Sequence, residues 1–129
     1  MNNSSFDSIL IKNIMNKALI TVNPQTTCFQ IAKMMDIGFI GAVIVQEKDI
    51  PVGIITDRDF AIKIAANRLS YDTHAREIMS SPLITINHDR TVLDATKIMN
   101  VMKIRKLAVS ENDKIIGIIT STDVINQLT

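Results

Sequence analysis

A repeat at fixed spacing is the feature that most limits what this chain can fold into. Ile14-Met15 returns as Ile78-Met79, and the same offset of 64 residues carries Leu19-Ile20-Thr21 onto Leu83-Ile84-Thr85. Asn23 and Asn87, Thr27 and Thr91, Met35 and Met99, Val45 and Val109, Gly53 and Gly117, and Asp59 and Asp123 keep that offset without a gap. A constant offset over such a length marks two copies of one supersecondary unit, neither of which can bury its apolar face alone.

Each copy reads β-α-β-β-α. In the first, the β-branched run at residues 19–22 predicts a short strand, which Asn23-Pro24 ends. Thr27 and Gln30 have capping-box spacing. Cys28, Ile31, Met34 and Met35 follow at helical spacing, and Gly38 and Gly41 suggest the stop. Residues 42–45 and 52–55 predict buried strands around a turn at Glu47-Lys48-Asp49, and a helix runs from Asp57 to about Asn67. The second copy repeats this with a strand at 83–86 and a capping box at Thr91 and Asp94. A helix to about Met102 follows, then strands at 107–109 and 115–119, and a last helix after Thr120. The fold class is α/β (α+β). The expected organisation is a flexible start at 1–8, a first motif at 9–67, a linker at 68–74 and a second motif at 75–129.

Composition narrows the function. With 47% hydrophobic residues in 129, a real core forms and global disorder is excluded. The net charge of +1 supplies no field to hold nucleic acid or an anionic membrane, and 4% aromatic content gives few stacking platforms. The single cysteine, Cys28, allows no internal disulfide. The start shows no signal-peptide pattern, and the longest uncharged apolar run, 37–45, is too short to span a bilayer. A soluble, cytoplasmic protein is expected.

The residues best suited to chemistry lie where the last strand of each copy meets its helix. The first copy reads Gly53-Ile54-Ile55-Thr56-Asp57-Arg58-Asp59 and the second Gly117-Ile118-Ile119-Thr120-Ser121-Thr122-Asp123. A helix N-terminus presents unsatisfied N–H groups and a partial positive charge, which favour phosphate. A Thr hydroxyl adds a donor there, and an Asp carboxylate is a natural acceptor for two vicinal ribose hydroxyls. Arg58 adds a cation in the first copy, where the second has Thr122. Thr-x-x-Asp is equally a capping-box variant that needs no ligand, and both roles can coexist on the same side chains.

These residues resemble a known family. The tandem β-α-β-β-α unit, the Ile-Met lead, the Leu-Ile-Thr strand and the doubled Gly-Ile-Ile-Thr-x-x-Asp junction look like a pair of CBS domains, the cystathionine β-synthase domain family. The resemblance covers residues 9–129. It implies two repeats packed as a pseudo-two-fold pair, usually dimerised through helices. It also implies a non-catalytic regulatory sensor that binds AMP, ADP, ATP or S-adenosylmethionine in clefts between the motifs and requires no cofactor. Carried over, the ribose and phosphate roles fall on Thr56, Arg58 and Asp59, and on Thr120, Thr122 and Asp123. Adenine would lie against Ile20, Thr21, Val22, Ala42 and Val43 in one copy, and against Ile84, Thr85, Ile86 and Leu107 in the other. Arg105 and Lys106 match a phosphate-contacting position. The Leu-Pro-Val often found on the middle strand is absent: the copies read Val43-Ile44-Val45 and Leu107-Ala108-Val109. The copies also differ before that strand, Phe39-Ile40-Gly41-Ala42 against Lys103-Ile104-Arg105-Lys106, so two unequal pockets are expected.

The remaining candidates are weaker. His74 and His88 fall in or near loops without ligand-like partners, and no metal site is expected. Cys28 opens a helix, a place that can lower a thiol pKa, although packing is its expected role. No Gly-rich phosphate loop, Ser–His–Asp set or paired-carboxylate cleft is present, which argues against an enzyme. The expected partners are an adenine nucleotide, a second copy of the chain and an unknown protein target, with neither nucleic acid nor membrane. The rival reading is a structural dimerisation or interaction module with degenerate pockets.

Overall fold

A computed structural model describes residues 4–128. The chain forms two compact units, and their boundaries cut across the sequence repeat. One unit is the continuous stretch Ile20–Leu83; the other joins the chain up to Leu19 with the chain from Ile84 onward. Each holds a three-stranded sheet with helices on it, the mixed α+β architecture expected of the two repeats.

In the continuous unit, β1 (Thr21–Val22) pairs in parallel with β2 (Ala42–Glu47), which pairs antiparallel with β3 (Ile50–Thr56). Between β1 and β2 lies α2 (Cys28–Gly38). Its N-terminus is closed as the spacing predicts: the Thr27 hydroxyl accepts from the Gln30 N–H, and the Gln30 side chain accepts from the Thr27 N–H. Its end differs from the glycine expectation. Gly38 is the last helical residue and Phe39 takes the left-handed position, with φ of 52°. The β2–β3 turn places Lys48 and Asp49 at positive φ, the geometry whose twist matches the flanking strands. After β3 the chain makes one turn of α3 (Asp57–Asp59) and widens into a π-helical stretch, Phe60–Ala65. Val22, Cys28, Ile31, Val43, Val45, Ile55 and Ile64 form the core.

The second unit repeats the plan with β4 (Thr85–Asn87), α5 (Val92–Met102), β5 (Lys106–Glu111), β6 (Lys114–Thr120) and α6 (Ser121–Ile125). Here the last helix continues as a 3₁₀ turn, Asn126–Leu128. Ile86, Val92, Ala95, Met99, Leu107, Val109, Ile119 and Val124 form its core.

The segment leading into each repeat belongs to the other repeat's unit. Ile11, on a 3₁₀ turn Ile11–Asn13, is fully buried in the core of the second repeat, and its N–H donates to the Arg90 carbonyl at 2.9 Å. Asn16 bridges Ile118 through two backbone hydrogen bonds of 2.8 and 3.0 Å. The expected linker at 68–74 leads into a helical turn, α4 (Ala75–Ile78), at the start of the expected second motif, yet its Ala75 and Ile78 sit in the core of the first repeat. Ser80 bridges Ile54 in the same way, at 2.9 and 3.1 Å. Residues 4–8, expected to be loose, form α1 (Ser4–Ser8), whose Phe6 packs on the second repeat's core. Residues 1–3 of that expected flexible start lie outside the described residues.

These bridges explain the two repeated glycines. A Cβ on Gly53 would stand 2.7 Å from the Met79 sulfur and 2.9 Å from the Ser80 carbonyl. On Gly117 it would stand 2.8 Å from the Asn16 carbonyl and 3.0 Å from the Met15 sulfur. Backbone lies where a side chain would go. Gly117→Ala should therefore destabilise the protein by about 1–3 kcal/mol, read as a lower denaturant midpoint.

The capping box of α5 supplies a pH-dependent contribution. Asp94 accepts from the Thr91 N–H and, at 3.0 Å, from the Arg90 guanidinium. The Thr91 backbone bond first, then Arg90, hold its carboxyl below the ordinary carboxylate range. Folding thus favours the ionised form. The contribution is full above the unfolded-chain pKa of about 4 and is lost as pH falls through the lower folded value. Asp94→Asn should lower stability at neutral pH, and urea titrations at descending pH should show the gap to the wild type closing.

Candidate functional site

In each unit the sheet topology gathers the predicted site residues at one end. Because β1 runs parallel to β2, and β3 antiparallel, the start of β2 lies beside the approach to β1 and the end of β3. Ala42 pairs with Thr56, and the Asp57 N–H donates to the Gly41 carbonyl at 3.1 Å. The Ile44 N–H donates to the Ile20 carbonyl at 3.0 Å, which sets Thr21 opposite Ile44. In the second unit Lys106 pairs with Thr120, and the Ser121 N–H donates to the Arg105 carbonyl at 2.9 Å. Thr85 pairs with Ala108. Thr56, Arg58 and Asp59 thus share a sheet end with Ile20, Thr21 and Ala42. Thr120, Thr122 and Asp123 share the equivalent end with Ile84, Thr85, Arg105 and Lys106.

Burial divides the apolar members. Val22, Val43, Ile86 and Leu107 turn their side chains into the two cores, so from them a ligand would meet main chain. Thr21 and Thr85 are exposed, and Ile20, Ala42 and Ile84 are half-buried. Arg58, Arg105 and Thr122 are exposed.

The two junctions are capped differently. At the second, the Thr120 N–H donates to Asp123 Oδ2 at 2.8 Å, and the Asp123 N–H donates to Thr120 Oγ1 at 3.1 Å, a reciprocal box. The Thr120 hydroxyl accepts there, which leaves its own proton to donate. At the first, the Thr56 N–H donates to Asp59 Oδ2 at 2.7 Å, and the Thr56 hydroxyl stands 3.4 Å from the same oxygen. Asp59 also meets the Lys63 ammonium, 3.1 Å from Oδ1. It is the one buried charged residue of the described chain, at 8% exposure. The capping reading therefore holds at both junctions.

The sequence reading passed over Lys63, whose position one helical turn after Asp59 was the available signal. It also placed His88 in or near a loop without ligand-like partners. Its imidazole is largely buried, with Nε2 3.5 Å from Asp89 and 3.8 Å from Glu111. It borders a concavity of about 370 Å³ at the hairpin end of the second sheet, with Lys12, Lys17 and Ile116. Cys28 is buried, and that burial, with the nearby Glu77 charge, pushes its thiol up rather than down, so it stays protonated. Among the described residues no group of three or more His, Cys, Asp or Glu is placed to hold a metal, and no helix is long and apolar enough to cross a membrane.

Paired three-stranded units with a Thr-x-x-Asp helix start define a class, and comparison with known proteins agrees. The chain belongs to the CBS domain family, whose model matches it twice, at residues 11–66 and 75–129. An uncharacterized protein of Methanopyrus kandleri is 41% identical over 92% of this chain and 62% of its own length. The crystal structure of an uncharacterized conserved protein from Pyrococcus horikoshii superposes with a TM-score of 0.89, at 28% identity over 95% and 93% of the two chains. The CBS domain pair of the protein MJ0100, solved with 5′-methylthioadenosine and S-adenosyl-L-methionine, superposes at 0.81, with 27% identity over 93% of this chain and 99% of that one. The chain spans less than two thirds of the length of the first curated relatives it matches, 62% and 40%. CBS pairs are generally regulatory modules rather than catalysts.

Proposed function

We propose that this chain senses an adenosine-containing nucleotide of the AMP, ADP, ATP or S-adenosylmethionine class at one or both of its strand–helix junctions and passes the bound state to a protein target. The observation that carries this reading is the convergence, at one sheet end in each unit, of a helix N-terminus, a Thr hydroxyl and an Asp carboxylate beside accessible edges of the short and middle strands. The carboxylate accepts from the ribose hydroxyls. The Thr hydroxyl and the helix N–H groups meet ribose or phosphate. Adenine lies on Ile20, Thr21 and Ala42, or on Ile84 and Thr85. Arg58 in one unit, and Arg105 with Lys106 in the other, stand where an anionic tail would extend. The adenosine ligands of the MJ0100 pair support the class. No bond is made or broken; the output is a shift between states for which the ligand has different affinities.

In a thermal-shift panel, AMP, ATP or S-adenosylmethionine at about 100 times its Kd should stabilise the fold by ~2.7 kcal/mol, several degrees in Tm. Asp59→Ala combined with Asp123→Ala should remove the shift. Silence from all three ligands in the wild type would reject the reading.

A second reading, an interaction module with degenerate pockets, is favoured by one observation. The helix ends carry exposed apolar side chains: Ile37 at 74%, Phe39 at 96% and Val101 at 75%. Isolated residues of that kind need no explanation, but Ile37 and Val101 recur at matching places in the two repeats, with Phe39 beside the first. Light scattering should give the mass of a homodimer, and Phe39→Lys with Val101→Lys should shift it to the monomer. A dimer that ignores every nucleotide would favour this reading over the first.

A further inference from the structure

Lys63 makes the two Asp residues unequal. Its ammonium stands 3.1 Å from Asp59 Oδ1 and donates to the Ile78 carbonyl at 2.7 Å. It is therefore held between a carboxylate and the end of α4. Asp59 Oδ2 already accepts from the Thr56 N–H. Both oxygens of Asp59 are engaged, and the side chain is only 11% exposed.

The equivalent position in the second repeat is Gln127. Its amide donates to the Asp123 main-chain carbonyl at 3.5 Å and leaves the carboxylate alone. Asp123 Oδ2 takes the Thr120 N–H. Oδ1 has no partner among the described residues, and the side chain is half-buried. A ribose presents two neutral O–H donors. Hydrogen bonds from an ammonium to a carboxylate are roughly twice as strong as neutral ones. Neutral hydroxyls do not displace Lys63 from Asp59, whereas Asp123 has an oxygen to offer. The Thr hydroxyls point the same way: Thr120 keeps its proton for a ligand, while Thr56 faces Asp59.

We infer that Lys63 is a positioning residue that closes the first junction to ribose, so that the nucleoside binds at Asp123, one per chain. This rests on the proposed nucleotide-sensing reading. It also assigns a role to the lysine beyond charge pairing. Because Lys63 ties Asp59 to the end of α4, the first junction is a built-in strut and the second is the receptor.

The test is isothermal titration of the full chain with AMP, ATP and S-adenosylmethionine in turn. At least one should bind with a stoichiometry near one. Asp123→Ala should weaken it at least about tenfold, and Asp59→Ala by less than about threefold. The reciprocal exchange reads Lys63 itself. Gln127→Lys should weaken binding about tenfold, and Lys63→Gln should raise the stoichiometry toward two. If Lys63→Gln proves unfolded by circular dichroism, the Gln127→Lys arm and the two Asp→Ala variants decide the matter. Two equal sites in the wild type, equal losses for the two Asp→Ala variants, unchanged affinity in Gln127→Lys, or a folded Lys63→Gln that still binds one equivalent would overturn the inference while leaving the sensing reading standing. Absence of binding by all three ligands would overturn both.

Discussion

The fold depends on backbone passing against backbone at two glycines. Each unit's last strand accepts a bridge from a segment outside its own repeat, Ser80 at Ile54 and Asn16 at Ile118. Without that contact each three-stranded sheet would present an unpaired edge, which is a template for unwanted association. With it, the edge strand is pinned two residues before the Thr that opens each Thr-x-x-Asp junction, and the helix that follows starts from a fixed place. The functional geometry inherits its rigidity from this pairing rather than from the junction residues themselves.

The junction side chains then act twice. Thr120 and Asp123 satisfy two helix-start N–H groups that would otherwise be left without partners, and the same side chains carry the proposed nucleoside contacts. A cap fixes the carboxylate's direction through one oxygen and leaves the other for work. The first junction shows how little changes the outcome. One lysine, a helical turn further along, occupies the second oxygen and converts a capped acceptor into an internal ion pair. The two repeats share the junction pattern, and Lys63 against Gln127 makes the two junctions different.

Much of this was legible in the sequence because it is local. The constant offset fixed the two copies, period-2 and helical spacing placed the strands and helices, and Thr27–Gln30 and Thr91–Asp94 announced their own caps. What was hidden is non-local. The exchange of lead-in segments leaves no trace in periodicity, since Ile11 and Ile78 read as apolar whichever core receives them. Val22, Val43, Ile86 and Leu107 fall within the expected ligand strip, yet strand alternation turns them inward. The left-handed cap at Phe39 defeated the glycine rule because Gly38, one residue early, stayed in the helix. His88 looked like a loop residue because its acidic neighbours come from a turn and a distant hairpin.

The exchange also bears on how the chain is made. Residues 20–83 contain every segment of one unit, so that unit is complete once Leu83 has left the ribosome. The other unit is assembled from two segments, one made before Ile20 and one after Leu83. Its N-terminal portion, with Phe6, Ile9 and Ile11 apolar, waits through the production of an entire unit before β5 and β6 exist to receive it. Domains generally fold as units during synthesis, and contacts of long sequence separation form slowly. The order of assembly is therefore written into the topology: the strut-bearing half, with Lys63 and Asp59, forms first, and the half that holds Asp123 closes last.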